Sequence, residues 1–414
     1  MLNRRVLLAL IGVLSVFVVC GGIAVAALAY AGLAQVRADP AALMVLGDDG
    51  RLSLVRGGDT QLLAEDNSAD LFRYPAIAPD GTRIVYVSRD ADGVALQSLD
   101  LAAGTRVELF RSRNTPPLYA AWSADSRYLS FLTNIPGGLG VYVVPADGTT
   151  PALLLGETPG SAYFAWQPGG EQLLLHIGGS VFEQGRVATF APSSEQPLRV
   201  LADPGFFQAP DWSVDGNDFF YVAQTPVQGL PTIERIESVL TRVTADGSEP
   251  QVLARESQSA MIFRRAPQSD TIAYVTIDIA NSRFGPLKLA VPGAEPRLLS
   301  PADAEIPAFF WSPDGSRIAY LSGSQGLDGL PRYQWHLVEI AGGEVRDLEE
   351  FTPSRAFAAM VNFFDAYASS FDIWSPDGRT LVYGTQDGLY LLDAAAGTVQ
   401  RQGEGVLGLW LAER

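Results

Sequence analysis

The chain has 414 residues and a formal net charge of −17, an acidic balance that repels phosphate backbones and excludes a nucleic-acid partner, which needs clustered Lys and Arg. Lys288 is the only lysine, so beyond that one site no Walker lysine or polybasic lipid patch is available, and no G-K-[ST] occurs. Cys20 is the only cysteine, and no disulfide can form within the chain.

After Arg4 and Arg5, residues 6–33 run for 28 positions without a charge, where about 20 apolar residues cross a bilayer core. They read as a transmembrane signal-anchor helix. The alternative is a cleaved signal peptide, with Ala27 and Ala29 in an A-x-A-like site but an apolar region about twice the usual length. By the positive-inside tendency Arg4 and Arg5 stay cytoplasmic. Residues 1–5 are then a cytoplasmic tip, 34–40 a spacer, and the bulk is extracytoplasmic, in a periplasm or at the cell surface. Val19 precedes Cys20 where a lipoprotein site takes a small residue, so Cys20 reads as a lipid-facing thiol.

From residue 41 onward the pattern is that of strands. Residues 42–46, 52–56 and 60–64 are strand-like pieces separated by Asp48-Asp49-Gly50 and Gly57-Gly58. They look like strands two, three and four of a unit whose first strand is missing. A phrase of the form W-S-P-D-G followed by an apolar strand then recurs at Ile77, Trp122, Trp166, Trp212, Arg265, Trp311 and Trp374. The successive spacings are 45, 44, 46, 53, 46 and 63 residues, the period of four-stranded propeller blades. Each copy continues with a third strand, a small-residue turn such as Ala146-Asp147-Gly148, and a fourth strand. Beyond the seventh copy, residues 406–411 match a first strand, with Trp410 in the Trp position. Three N-terminal strands and one C-terminal strand close an eighth blade; seven blades is the alternative, if the N-terminal strands only pack on the rim. The predicted fold is therefore an all-β propeller over residues 41–414.

The repeat resembles the WD40-like family whose blades carry W-S-P-D-G, seen in the TolB propeller and in the propeller domains of prolyl-oligopeptidase-type peptidases. The resemblance runs from about residue 71 to the C-terminus and implies the fold alone. Neither the α/β domain that precedes the TolB propeller nor a hydrolase domain is visible, so neither family's activity carries over.

Three stretches interrupt the period: residues 224–236 in blade 4, 322–332 in blade 6, and 352–372 before blade 7. The last predicts a helix over about 353–369, with Thr352 as N-cap, Pro353 at its first position, and Phe357, Met360, Phe364 and Tyr367 at helical spacing. Such an apolar face can simply pack on the propeller, or it can contribute to a binding surface.

Catalytic signals are sparse. His176 and His336 each stand alone in the sequence and read as structural. Gly403 to Gly408 spells G-x-G-x-x-G but lacks the βαβ unit that gives the motif meaning. Asp90-Ala-Asp92-Gly93 lacks the third acid and distal glutamate of a calcium loop and reads as a solvated turn. No catalytic residue, metal ligand or cofactor is implied. Strand direction puts all three interruptions on one face and the W-S-P-D-G turns on the other. The expected ligand-binding residues lie on that decorated face: Phe357, Phe363, Phe364, Asp365 and Tyr367, with Tyr333 in a loop beside them. The expected function is a membrane-anchored, non-enzymatic module binding a protein, peptide or envelope glycan; the alternative is a carboxylate-dependent lyase or hydrolase at the central channel.

Overall fold

Each residue of the W-S-P-D-G phrase has a separate physical task. In four of the turns the serine hydroxyl donates to the aspartate two positions on at 2.6 Å: Ser123 to Asp125, Ser213 to Asp215, Ser312 to Asp314 and Ser375 to Asp377. The same Oγ accepts the backbone N–H five positions on, from Tyr128, Asp218, Arg317 and Thr380. The aspartate in turn accepts the N–H two positions after itself. A buried hydroxyl and a carboxylate thus satisfy the backbone of a turn that cannot satisfy itself. Gly315 and Gly378 follow at φ +69° and +67°, in the left-handed region that side chains resist.

The tryptophan joins blades. Trp122, Trp212, Trp311 and Trp374 donate Nε1–H to carbonyls of the preceding blade, at Ala76, Ala165, Arg264 and Phe310, over 3.0–3.2 Å. Arginines bridge blades on the turn face: Arg83 donates to Ser126 O, Arg199 to Asp246 O, Arg297 to Ile340 O and Arg317 to Gly378 O.

A computed structural model describes residues 41–65, 75–178, 185–193, 198–202, 209–226, 236–278, 280–281, 283–326, 330–367 and 370–411. The expected cytoplasmic tip, span and spacer lie outside them. The strands form eight antiparallel sheets, one per blade. Seven are the expected four-strand meanders or extensions of one. Blade 7 has three named strands, and its first is reduced to the bridge Trp374↔Leu381. Blade 5 adds a pairing at Arg283–Phe284, while its third and fourth strands, Lys288–Leu289 and Arg297–Leu298, are two residues each.

Blade 8 closes as predicted. Leu407–Trp410 pairs antiparallel with Leu43–Leu46, Trp410 opposite Leu43 and Leu407 opposite Leu46, and Leu52–Arg56 and Asp59–Ala64 complete the sheet. The core lies between blades. Trp212, Tyr274, Tyr320, Tyr383, Phe131 and Phe263 are fully buried there, as expected of sheets covered on both faces.

The ends of two expected loops are strand, while residues 227–235 and 327–329 within them lie outside the described residues. In blade 4, Asp218–Pro226 pairs with Ile236–Thr244 up to Pro226↔Ile236. In blade 6, Arg317–Gln325 pairs with Pro331–Glu339 up to Gln325↔Pro331. The strands flanking each interruption are longer than expected, because backbone pairing continues past the point where apolar alternation fades. Tyr333 accordingly sits in a strand, opposite Gly323 and Phe351, and not in a loop.

Candidate functional site

The inner rim of the ring is made by the first strands, and residues 352–372 are seated against it from the decorated face. Ser354, not Thr352, caps the helix. Its Oγ accepts from Phe357 N at 3.0 Å and donates to Val406 O at 2.6 Å, while its own N–H donates to Gly384 O. Pro353 lies before the helix in a bridge to Thr385. The cap falls here because this one hydroxyl reaches both the helix end and the entry to blade 8. The expected single helix is two, α1 (Arg355–Val361) and α2 (Phe364–Tyr367), broken at Asn362.

The apolar face of α1 packs into the blade 6–7 seam. Phe357 is 0% exposed and meets the rings of Trp335, Phe351 and Tyr383 edge-on at 5.8–6.5 Å. Phe364 on α2 meets Phe309 and Phe310 of blade 6. Across the axis, Phe363 sits edge-on to Tyr119 of blade 2 at 6.3 Å, and Ser370 donates to Ala120 O. Asp365 accepts a 3.4 Å bond from Ala209 N at the entry to blade 4. Asp372 O accepts from Trp410 N of blade 8. One segment thus touches the inner strands of blades 2, 6 and 8 and the approach to blade 4. It lies across the channel mouth.

Asp365 is the buried charge of this plug. Burial pushes its carboxyl up from the ordinary aspartate value, against the lowering effect of the Ala209 and Ala366 N–H groups and of the Arg264 guanidinium. Burial also pushes up the Tyr163 hydroxyl, helped by Asp365 and Tyr119. Arg264 itself faces Asp211 at 3.8 Å. Tyr119 has φ +52° at the bulge in the first strand of blade 2, a conformation that a bulky residue keeps only where its surroundings impose it.

Of the expected contact residues, Phe357, Phe364 and Asp365 are buried and hold the insertion in place, so they offer no surface to a ligand in this arrangement. Phe363 and Tyr333 are half-buried, and burial raises the Tyr333 hydroxyl. Tyr367 ends α2. Beside the insertion a cleft of about 270 Å³ opens between blades 7 and 8. Asp48, Asp49, Arg51, Thr385, Gln386 and Glu404 line it. Sequence reasoning missed it, because its walls come from opposite ends of the chain.

The histidines are not isolated. His176 is buried and its Nε2 lies 2.8 Å from Gly178 O. His336 Nε2 lies 2.8 Å from Ser322 Oγ, and its Nδ1 lies 2.8 Å from Asp347 Oδ1. Asp90 is the expected turn-former, accepting from Asp92 N, and Arg111 grips it with two nitrogens at 2.8 and 2.9 Å. Among the described residues, no three His, Cys, Asp or Glu side chains gather as a metal site.

The ring of eight sheets decides the architecture. The chain is an eight-bladed β-propeller. Several solved structures are similar to the chain at low identity. A dihydro-heme d1 dehydrogenase, NirN, matches at 15% identity with TM-score 0.54, over 89% of this chain and 73% of that one. An oligogalacturonate lyase in complex with manganese matches at 16% with TM-score 0.50, over 81% and 86%. TolB from Acinetobacter baumannii matches at 13% with TM-score 0.40, over 79% and 82%. These likenesses concern the fold. No protein-family profile matches the chain. An uncharacterized protein of Agrobacterium fabrum is 25% identical over 166 residues, 36% of this chain, which spans about half (54%) of that relative's length.

Proposed function

We propose that this propeller is a membrane-anchored, extracytoplasmic binding module that engages a protein, peptide or envelope glycan through its decorated face. The observation that carries the reading is the insertion across the channel mouth. A small-molecule active site at the central channel needs that channel open, with polar groups converging on it. Here Asp365, the carboxylate that the insertion carries on α2, is buried, which weighs against a lyase or hydrolase at the channel. What the insertion leaves outward is a broad platform with half-buried aromatics and a polar cleft, and such surfaces suit extended ligands.

A photo-crosslinking amino acid placed at the exposed Asn362 of the full-length chain, in its native membrane, tests the face. A discrete adduct from position 362, absent when the same group is placed at Asp377 on the turn face, is the expected result. Equal crosslinking from both positions would remove the case for the decorated face. Turnover of envelope glycans abolished by Asp365→Ala, in protein that still melts cooperatively, would favour the alternative.

A further inference from the structure

Blade 6 carries a hydrogen-bonded chain that the propeller itself does not require. Ser322 follows the buried run of the second strand, His336 lies in the third and Asp347 in the fourth. Register puts them on one sheet face: His336 is opposite both Tyr320 and Asp347, and Ser322 lies two residues along from Tyr320. The imidazole stacks on the Tyr320 ring at 4.8 Å and 15°, so its plane is fixed.

The hydrogen bonds assign the proton. An ionised Asp347 can only accept, so Nδ1 must donate to it. In the neutral imidazole Nε2 then carries a lone pair, and the 2.8 Å bond to Ser322 must have the serine hydroxyl as donor. Carboxylate, imidazole and hydroxyl therefore stand in the order by which a general base activates a serine. The repeat provides an internal control. At the position of His336 blades 1 to 5 carry Gln97, Tyr142, Ala188, Thr241 and Lys288, so the fold is indifferent to an imidazole there. This sheet face looks toward blade 5, whose outer two strands are two residues each, and the Asp347 side chain is 73% exposed. Ser322 itself is half-buried, and the His336 side chain is 12% exposed.

We propose that Ser322 is an activated nucleophile that takes acyl groups from small carboxylic esters, with His336 as general base and Asp347 as its positioning residue. Ser322 Oγ bonds to the ester carbonyl carbon as its proton passes to Nε2 and the π pair moves to the carbonyl oxygen. Collapse breaks the carbon–alkoxy bond, and the departing alkoxide takes the proton from Nε2. Water then repeats the sequence to release the acid and restore the hydroxyl. Since the site lies on the flank of blade 6, it does not depend on the decorated-face reading.

The test is covalent labelling of the full-length chain in detergent with a fluorophosphonate, which loses fluoride to an activated serine, followed by peptide mapping. We expect one adduct on Ser322, with Ser324 on the same strand unlabelled. The rate should fall at least tenfold in His336→Gln and in Asp347→Asn. Unchanged melting temperatures in those variants would separate chemistry from folding. No adduct on Ser322, or labelling equally fast in His336→Gln, overturns the proposal; a merely structural chain would give one of those results.

Discussion

At Trp410 the indole N–H is buried without a hydrogen-bond partner, whereas Trp212 donates to Ala165 O at 3.1 Å. Replacing each by Phe removes the same atoms but loses a hydrogen bond only at 212, where a carbonyl is left behind. Trp212→Phe should therefore cost about 1–3 kcal/mol more than Trp410→Phe in denaturant melts. Aspartates divide just as clearly. Hydrogen bonds from Ser213 and Asn217 hold Asp215 down at about 2; its contribution is present above the unfolded value and lost as pH falls through about 2. Asp365 has the opposite sign: its raised carboxyl favours the folded chain when protonated, a contribution full in acid and lost as pH climbs through the folded value. Asp365→Asn should thus raise the melting temperature at pH 7 and leave it unchanged near pH 3, while Asp215→Asn should lower it at pH 7 and not at pH 2. The role of the phrase aspartates was legible in the sequence, since Ser-x-Asp-Gly is a turn wherever it occurs. The partners of His336 were not, because Ser322 lay inside a stretch that composition alone marks as a loop.

The insertion shows what element-scale patterning can and cannot reveal. Apolar spacing at Phe357, Met360 and Phe364 announced a helix with one buried face, and the structure buries those three residues. Which surface receives them is a matter of tertiary contact, and no local signal placed Phe363 beside Tyr119, or α2 beside Phe309 and Ala209. Ser354 is the hinge of that docking, since one hydroxyl serves both the helix end and the blade 8 entry. Ser354→Ala should cost about 1–2 kcal/mol, the value of a lost cap, and hydrogen exchange should rise within residues 353–367 while blade 2 stays protected. Gly384 adds a steric check: a Cβ there would collide with the Val406 carbonyl and the Ser354 hydroxyl. Gly384→Ala should loosen the same segment.

For the whole ring, closure depends on four residues at each end of the propeller. Deleting residues 405–414 would strip Leu43–Leu46 of its inner partner and leave an unpaired edge. Loss of a single cooperative melt is expected, and a melt identical to the parent would contradict closure at blade 8. The count of eight was readable in the sequence because three orphan strands at one end and one at the other add up to a blade. Ligand identity was not, because a propeller's face is assembled from loops that no repeat encodes. Closure also sets a clock. Strand two of blade 8 leaves the ribosome roughly 360 residues before its first strand, and at about 5–20 residues per second that interval is about 20–70 s. Throughout it the nascent chain carries an uncovered strand at one end and a growing stack of finished blades behind, and the last strand to be made is the one that covers it.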